Sequence, residues 1–448
     1  MGSDVSSGIQ RAESGPSLVS TQAWALARGG LTAFAIRISA AGLLFLLQMT
    51  LAQTLGLDGY GEYAYALAWM DAIGTFAGLG LKTTSLRYVA QYRARQETSL
   101  LRGFLRRSMH IGMASGAAAS VGLAVAAWIL RDQMSHGLLL CFALAAVLIP
   151  VTTLTGIRDA TLRAFGRVGQ GLASILVWRG LLLILLLVTT RIIGLAISSS
   201  TAMLLHLMSA LAALAVASVF LGRTRPRSVG PTTIEYDTGQ WLSTALPLML
   251  LTVLIFVQGQ SGTILCGLFL GTADAGLYAA VARISGLTLF GYQSINAFAA
   301  PMFAALYASR RRLELQRLVR LCAWASAALT LALTALLIVF GKTVVGLLGE
   351  EFDAGYPVLV VLLLGAAASA TTGSAAVLLT MTNHQGLSVK VFAGGTAINI
   401  VLSAILIPRY GVLGTAVANA ISTAACSVVL VYLVKKRLGI WSVIGRLP

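Results

Sequence analysis

Apolar stretches of about 20 residues recur along the whole chain, and short segments between them carry most of the charge. As an α-helix, each stretch is long enough to cross a bilayer core roughly 30 Å thick. Only 10% of the residues are charged and 57% are hydrophobic, whereas a soluble domain carries about 25% charged residues. The sequence therefore predicts an all-α polytopic membrane protein. It excludes soluble enzymes, secreted disulfide scaffolds and large extramembrane domains.

The apolar runs predict twelve transmembrane helices in two parallel six-helix lobes. The first six spans lie near residues 31–54, 62–81, 108–130, 137–157, 171–190 and 195–222, and the second six near 241–270, 275–306, 318–341, 355–381, 387–407 and 412–434. The predicted segments are a cytoplasmic N-terminal segment (1–30), an N-lobe (31–222), a cytoplasmic linker (223–240), a C-lobe (241–434) and a cytoplasmic tail (435–448). Residues 17–30 form either an interfacial helix or a solvated loop.

The basic residues fall almost entirely on one side of these spans. Of the 32 Lys and Arg residues, 25 lie on the face that carries both termini, four lie in the opposite loops and three lie inside spans. Basic residues collect in cytoplasmic loops, so both termini are predicted to be cytoplasmic in a plasma (inner) membrane. This bias accounts for the net charge of +17 without any nucleic-acid partner.

A short repeat links the two halves of the sequence. Residues 54–64 match residues 269–279 at five positions: Leu55/Leu270, Gly56/Gly271, Gly61/Gly276, Tyr63/Tyr278 and Ala64/Ala279. Each copy is the predicted outer turn between the first and second span of its half. Because six spans separate the copies, both run in the same direction, which predicts lobes related by an axis along the membrane normal.

Motifs of catalysis and metal binding are missing from the sequence. There is no G-x-x-x-x-G-K-[ST] and no H-E-x-x-H, the four histidines are scattered, and the four cysteines lie inside apolar runs without CxxC spacing. No predicted outer loop is long enough to hold a catalytic domain. We therefore expect no enzymatic activity, no cofactor and no metal site.

Four ionisable residues lie inside predicted spans: Arg37, Asp71, Arg179 and Arg283. A charge at the bilayer centre costs at least about 2.5–3.5 kcal/mol, so such residues usually face a bundle interior or a wet cavity. Asp71 can compensate one arginine, and an Arg37–Asp71 pair joining the first two spans is one structural reading. Arg283 could instead extend towards the cytoplasmic surface. The functional reading is a central cationic cavity, with three arginines against one aspartate, for an anionic substrate.

Amide side chains are the other candidates to line such a cavity. They suit sugar hydroxyls, but they also serve as hydrogen-bonding links between helices. The candidates are Gln48, Gln258, Gln260, Gln293, Asn296, Asn399 and Asn419.

Several of these segments resemble one known family. Ala52-Gln-Thr-Leu-Gly-Leu-Asp-Gly-Tyr-Gly-Glu-Tyr-Ala-Tyr-Ala, Gly78-Leu-Gly-Leu and Arg87-Tyr-Val-Ala are similar to segments of the polysaccharide-transporter, or oligosaccharide flippase, family. The second half agrees in Ala275-Gly-Leu-Tyr-Ala-Ala-Val-Ala-Arg-Ile, Gly355-Tyr-Pro-Val-Leu and Tyr410-Gly-Val-Leu-Gly-Thr-Ala-Val-Ala. The resemblance runs from about residue 25 to 435. It is specific to the multidrug/oligosaccharidyl-lipid/polysaccharide exporter superfamily.

The resemblance implies a flippase that moves undecaprenyl-pyrophosphate-linked oligosaccharide to the outer leaflet by alternating access, alongside polysaccharide polymerase or export machinery. Many relatives carry an acidic residue in the seventh span, where Gln258 and Gln260 stand here, so ion coupling through that span is not expected. Two alternatives stay open. One is a drug or metabolite antiporter of the same fold, and the other is a membrane-embedded polymerase or ligase.

Overall fold

The structure, a computed structural model, describes residues 18–173, 177–224, 234–382 and 384–443, and it describes their side chains from residue 39 onward except at positions 168, 172, 173, 251, 297, 298 and 301. Within these ranges the regular secondary structure is helical. The predicted N-terminal segment, the linker and the tail lie partly outside them, and so does the side chain of Arg37. The helices are α1 (Leu18–Ala77), α2 (Leu81–Ala94), α3 (Thr98–Ile129), α4 (His136–Ala164), α5 (Val168–Ala173), α6 (Arg179–Ile192), α7 (Ser199–Thr224), α8 (Thr238–Phe269), α9 (Thr272–Gly286), α10 (Leu289–Ala308), α11 (Arg312–Gly346), α12 (Tyr356–Thr371), α13 (Ala375–Met381) and α14 (Gln385–Leu438).

Eight of the helical segments in these ranges are long and apolar enough to span a membrane. Two of them, in α1 and α14, are bent and make two crossings each. Shorter helices, α5 and α6 in one case and α9 and α10 in the other, lie where the sequence predicts the fifth and eighth spans. The prediction of an all-α membrane protein is thus confirmed, and the helices in the described ranges are consistent with the predicted twelve crossings.

Glycines with positive φ make the sharp turns between consecutive crossings. Gly56 bends α1 (φ 66°, ψ −177°) and Gly411 bends α14 (φ 57°, ψ −139°). Gly271, the repeat partner of Gly56, precedes α9 with φ 108° and ψ 175°. An L-residue with a side chain rarely adopts such dihedrals. The two copies of the repeat therefore make the same kind of turn, as their sequences predict.

Extensive helix contacts occur both within each half of the chain and between the halves. In the first half α4 packs against α3 and α7, and in the second half α14 packs against α8 and α12. The halves meet where α1 contacts α8 and α9, and where α2 contacts α8. This arrangement places the second crossing of α1 and the middle of α8 on opposite walls of the space between the halves. The exact lobe boundaries stay predictions.

A second contact between the halves lies at the start of α8. The Trp241 side chain is buried, its Nε1 donates a 2.8 Å hydrogen bond to Tyr92 Oη, and its indole meets the Phe104 ring edge-on at 5.2 Å. Tyr88 Oη and Thr244 Oγ1 are 2.9 Å apart beside it. Aromatic burial and one hydrogen bond thus hold the start of α8 against α2 and α3.

Trp241→Ala is expected to lower the free energy of unfolding by about 3–5 kcal/mol, because it empties a buried aromatic site. Trp241→Phe keeps a buried aromatic ring but removes the hydrogen bond, which costs about 1 kcal/mol, and part of the ring volume, so its total cost should stay below that of Trp241→Ala. Thermal unfolding of the purified protein in detergent measures both effects. The matched control is Trp178→Ala, since Trp178 is 53% exposed. Equal melting temperatures for Trp241→Ala and the control would contradict the assigned role.

Candidate functional site

A cavity of about 390 Å³ lies between the two halves, and we name it the Asp71 cavity. One wall comes from α1, α2, α4 and α6, and the opposite wall comes from α8. Its lining residues are Met70, Asp71, Gly74, Thr75, Gly78, Gly80, Lys82, Thr83, Thr152, Thr153, Gly156, Ile157, Arg179, Met249, Thr252 and Phe256. Of the predicted site residues, Asp71 and Arg179 are therefore brought together.

The Asp71 cavity contains more basic than acidic side chains. Lys82 and Arg179 line it beside Asp71, and no ion pair within 4.0 Å involves these three in the part of the chain that the structure describes. The ion pairs found there join exposed or half-exposed side chains near the helix ends. Burial, and secondly the nearby Arg163 guanidinium, lower the pKa of Lys82, which lies just beyond the predicted second span.

Arg283 lies next to this cavity and joins the two halves through neutral partners. From α9, its Nη1 donates to Gln48 Oε1 at 2.6 Å and to Tyr60 Oη at 3.0 Å. Tyr60 Oη also donates to Gln48 Oε1 at 2.6 Å. The hydrogen-bond partners of the guanidinium are thus an amide and a phenol, and no described carboxylate lies within 4.0 Å. A buried cation with neutral partners keeps its capacity to attract an anion.

Two further cavities share Arg283 as a lining residue. The Gln260 cavity, about 290 Å³, contains Gln260 and Thr263 and shares Phe256 with the Asp71 cavity. The second, about 200 Å³, we name the α1–α10 groove, because it lies between α1 and the α9–α10 segment. Its lining residues are mostly apolar: Leu44, Phe45, Gln48, Arg283, Ile284, Gly286, Leu287 and Phe290. Arg283 therefore lines both a cavity that contains the polar side chains Gln260 and Thr263 and a groove that is almost entirely apolar.

The other predicted amides have separate positions. Asn399 Nδ2 donates to Ser261 Oγ at 3.1 Å, and Gln258 lies beside Gly395, so both amides link α8 with α14. Asn296 is buried in α10, and Gln293 is exposed on the same helix. Among the described residues, the predicted amides that line a cavity together with Arg283 are thus Gln260, in the Gln260 cavity, and Gln48, in the α1–α10 groove.

The halves touch directly at the end of the molecule that carries the repeat. A Cβ on Gly61 would lie 2.2 Å from Thr272 O, and a Cβ on Gly276 would lie 2.6 Å from Gly61 Cα. Leu57 N donates to Glu351 Oε2 at 2.8 Å, and Gln53 Nε2 donates to Leu347 O at 2.7 Å. This set of contacts, which we name the outer seam, closes the predicted outer face above Arg283.

The model of the family described as "Polysaccharide biosynthesis protein" matches residues 26–307. The chain belongs to this family. No curated protein matches its sequence. Among solved structures, this chain is similar to an inward-facing multidrug resistance MATE transporter of the MOP superfamily, with a TM-score of 0.73 and 15% sequence identity. The match covers 91% of this chain and 98% of that one.

Two further structures show the same fold. An outward-facing multidrug resistance MATE transporter of the MOP superfamily gives a TM-score of 0.68 at 16% identity, covering 93% of this chain and 95% of that one. A MOP superfamily transporter from Pyrococcus furiosus, described as having a binding pocket of reverse polarity, gives the same values. This polysaccharide biosynthesis protein therefore has a membrane-transporter fold and is a multi-pass membrane protein.

Sequence reasoning missed two site residues of this family member. Lys82 counted as a loop residue because it directly follows a predicted span, yet it lines the Asp71 cavity. Tyr60 lies in a glycine-rich segment that the sequence predicts only to be a turn, but its hydroxyl accepts a hydrogen bond from Arg283. For Tyr60 a signal existed, because it lies inside the repeat whose two copies meet at the outer seam.

Proposed function

We propose that this protein is a flippase that moves polyprenyl-pyrophosphate-linked oligosaccharide repeat units from the cytoplasmic to the outer leaflet for surface polysaccharide assembly. The observation that carries the proposal is Arg283, a largely buried guanidinium whose neutral partners come from the other half of the protein. Arginine stays protonated and binds two phosphate oxygens at once. A pyrophosphate is thus the headgroup that this position attracts.

The charge around Arg283 supports an anionic substrate. Across the Asp71 and Gln260 cavities, three basic side chains (Lys82, Arg179 and Arg283) stand against one acidic side chain, Asp71. A small cationic drug would be repelled by this excess. Arg37, Gln258, Gln293, Asn296 and Asn399 stay predicted contributors to the site.

The α1–α10 groove supports the lipid part of the substrate. Arg283 lines it, and Leu44, Phe45 and Phe290 give it apolar walls. A polyprenyl chain would keep contact with apolar side chains and lipid, while the sugars occupy the Asp71 and Gln260 cavities. This division matches the amphipathic chemistry of the proposed cargo.

The proposed cycle is alternating access in the inner membrane, with both termini cytoplasmic. The outer seam holds the outward route closed while the cargo loads. An inside-negative potential favours export of an anionic headgroup by about 2.3 kcal/mol per charge per 100 mV. The same potential draws the empty cationic carrier back towards its inward-open state. Polymerase or export machinery would receive the cargo outside.

The leaflet distribution of lipid-linked oligosaccharide in cells depleted of this protein tests the proposal. We expect complete repeat units to accumulate on the cytoplasmic leaflet, with surface polysaccharide lost, because synthesis continues while transfer stops. Accessibility to an impermeant lectin or glycosidase separates the leaflets. Normal delivery with failed polymerisation or ligation would instead indicate an enzyme. Normal delivery and assembly with impaired drug efflux would indicate an antiporter.

A further inference from the structure

A cavity of about 520 Å³ lies at one end of helices α10, α11 and α14, and we name it the basic pocket. None of its lining residues also lines the Asp71 cavity, the Gln260 cavity or the α1–α10 groove. The lining residues are Leu306, Tyr307, Ala308, Arg310, Arg312, Leu315, Arg437, Leu438 and Ile440. The proposed transport route does not use this pocket.

The segment after α14 is fixed in place and forms one wall of the basic pocket. Gln316 Nε2 donates to Trp441 O at 2.7 Å, and Trp441 N donates to Gln316 Oε1 at 2.9 Å. The carbonyl oxygen of Ser442 packs so closely against Gly373 that it would lie only 2.2 Å from a Cβ atom at that position. Ile440 is buried and lines the pocket. The pocket is therefore formed by specific tertiary contacts.

Two runs of three basic residues meet at this pocket, and their members have different partners. In the first run, Arg311 pairs with Glu314 at 3.5 Å, whereas Arg310 and Arg312 line the pocket.

In the second run, Lys435 Nζ lies 3.8 Å from the centroid of the Trp441 ring, and Lys436 Nζ lies 5.7 Å from that of Tyr432. Arg437 lines the pocket. Hence three arginines, with no acidic partner within 4.0 Å among the described residues, converge on one cavity.

We propose that the basic pocket binds the phosphate of an anionic phospholipid from the cytoplasmic leaflet, as a resident lipid and not as cargo. Guanidinium groups recognise phosphate oxygens in pairs, and basic pockets between transmembrane helices on the cytoplasmic side suit such headgroups. Exposed side chains in and next to the lining support a lipid: Leu313, which follows the lining residue Arg312, is 77% exposed, and Tyr307, in the lining, and Trp441, which follows the lining residue Ile440, are exposed as well. Leucine, tyrosine and tryptophan fit the boundary between headgroups and acyl chains.

Arg310 allows a test that separates binding from folding. It follows α10 with a φ of 57°, a left-handed conformation that glycine adopts more easily. Arg310→Gly therefore removes a guanidinium without disturbing the turn. Combined with Arg437→Gln, it should leave melting behaviour unchanged while it weakens lipid binding.

The experiment is a titration of the purified full chain with phosphatidylglycerol or phosphatidylcholine of equal acyl chains, read by native mass spectrometry. We expect the wild type to prefer phosphatidylglycerol. Arg310→Gly/Arg437→Gln should bind it about 25-fold more weakly, since each arginine near a lipid headgroup contributes roughly fivefold. The charge-matched control is Arg106→Gln/Arg107→Gln, two exposed arginines on α3, which should keep the preference.

Three results would overturn the assignment. The first is equal binding of the two phospholipids by the wild type, and the second is unchanged phosphatidylglycerol binding by Arg310→Gly/Arg437→Gln. The third is displacement of phosphatidylglycerol by polyprenyl pyrophosphate added at a much lower concentration than phosphatidylglycerol, which would make the pocket a cargo site. Because the readout is equilibrium binding of a phospholipid, it does not depend on whether the protein flips lipid-linked sugars.

Discussion

Arg283→Gln is expected to reduce the transport of lipid-linked oligosaccharide about 100-fold, with little change in the amount of folded protein. Removing one partner of a buried charged contact costs about 2–5 kcal/mol in binding, and in the proposed cycle that contact forms with the pyrophosphate. The fold should tolerate the change, because no described carboxylate is left without a counter-ion. Tyr60 and Gln48 stay bonded to each other at 2.6 Å.

A graded set of variants separates charge from packing at this position. Arg283→Lys keeps the charge but loses the two-pronged geometry, so intermediate transport is expected. Arg179→Gln/Arg283→Gln should abolish transport, and Arg191→Gln, on an exposed side chain of α6, should not change it. Delivery of repeat units to the outer leaflet is the measurement, with expression and melting temperature alongside. Wild-type transport in the double variant would remove the cationic-cavity hypothesis.

Gly61→Ala is expected to open the outer seam and to reduce transport at least tenfold. The added methyl group would lie 2.2 Å from Thr272 O and meet the backbone of the other half, a distance that requires the halves to separate. Gly276→Ala should act alike, because its methyl would lie 2.6 Å from Gly61 Cα. Gly42→Ala is the matched control, since nothing lies within 4 Å of its Cβ position.

Thiol labelling from outside the cell reports the state of the seam directly. Ala64 is buried one helical turn from Gly61 and lines the Gln260 cavity. A cysteine introduced there should be protected in the parent and labelled in the Gly61→Ala background. The four native cysteines are buried, which keeps the background signal low. Continued protection together with full transport would show that the glycine contact does not gate the outer face.

The repeat could be predicted from the sequence, but its role could not. Five identities indicated matching turns, and Gly56 and Gly271 do share positive φ. The contact of Gly61 with Gly276 depends on how the two halves meet across 215 positions of sequence, which no local pattern encodes. The same holds for the charged residues inside the predicted spans, whose location could be predicted while their contacts could not. Their cost in a bilayer indicated an interior location for Arg179 and Arg283, while their partners and cavities followed only from the packing of α1, α8 and α9.

By itself, the sequence determined the membrane class, the all-α architecture and the turn positions, because hydropathy, length and glycine dihedral freedom are local properties. The tertiary structure decided which side chains share a cavity. In a bilayer, both the lipid-facing and the protein-facing sides of a helix can be apolar, so hydropathy does not fix a helix's rotation. Helix rotation, set by packing, brings Lys82 into the Asp71 cavity and Gln258 against α14, and it places Arg283 between Gln48 and Tyr60.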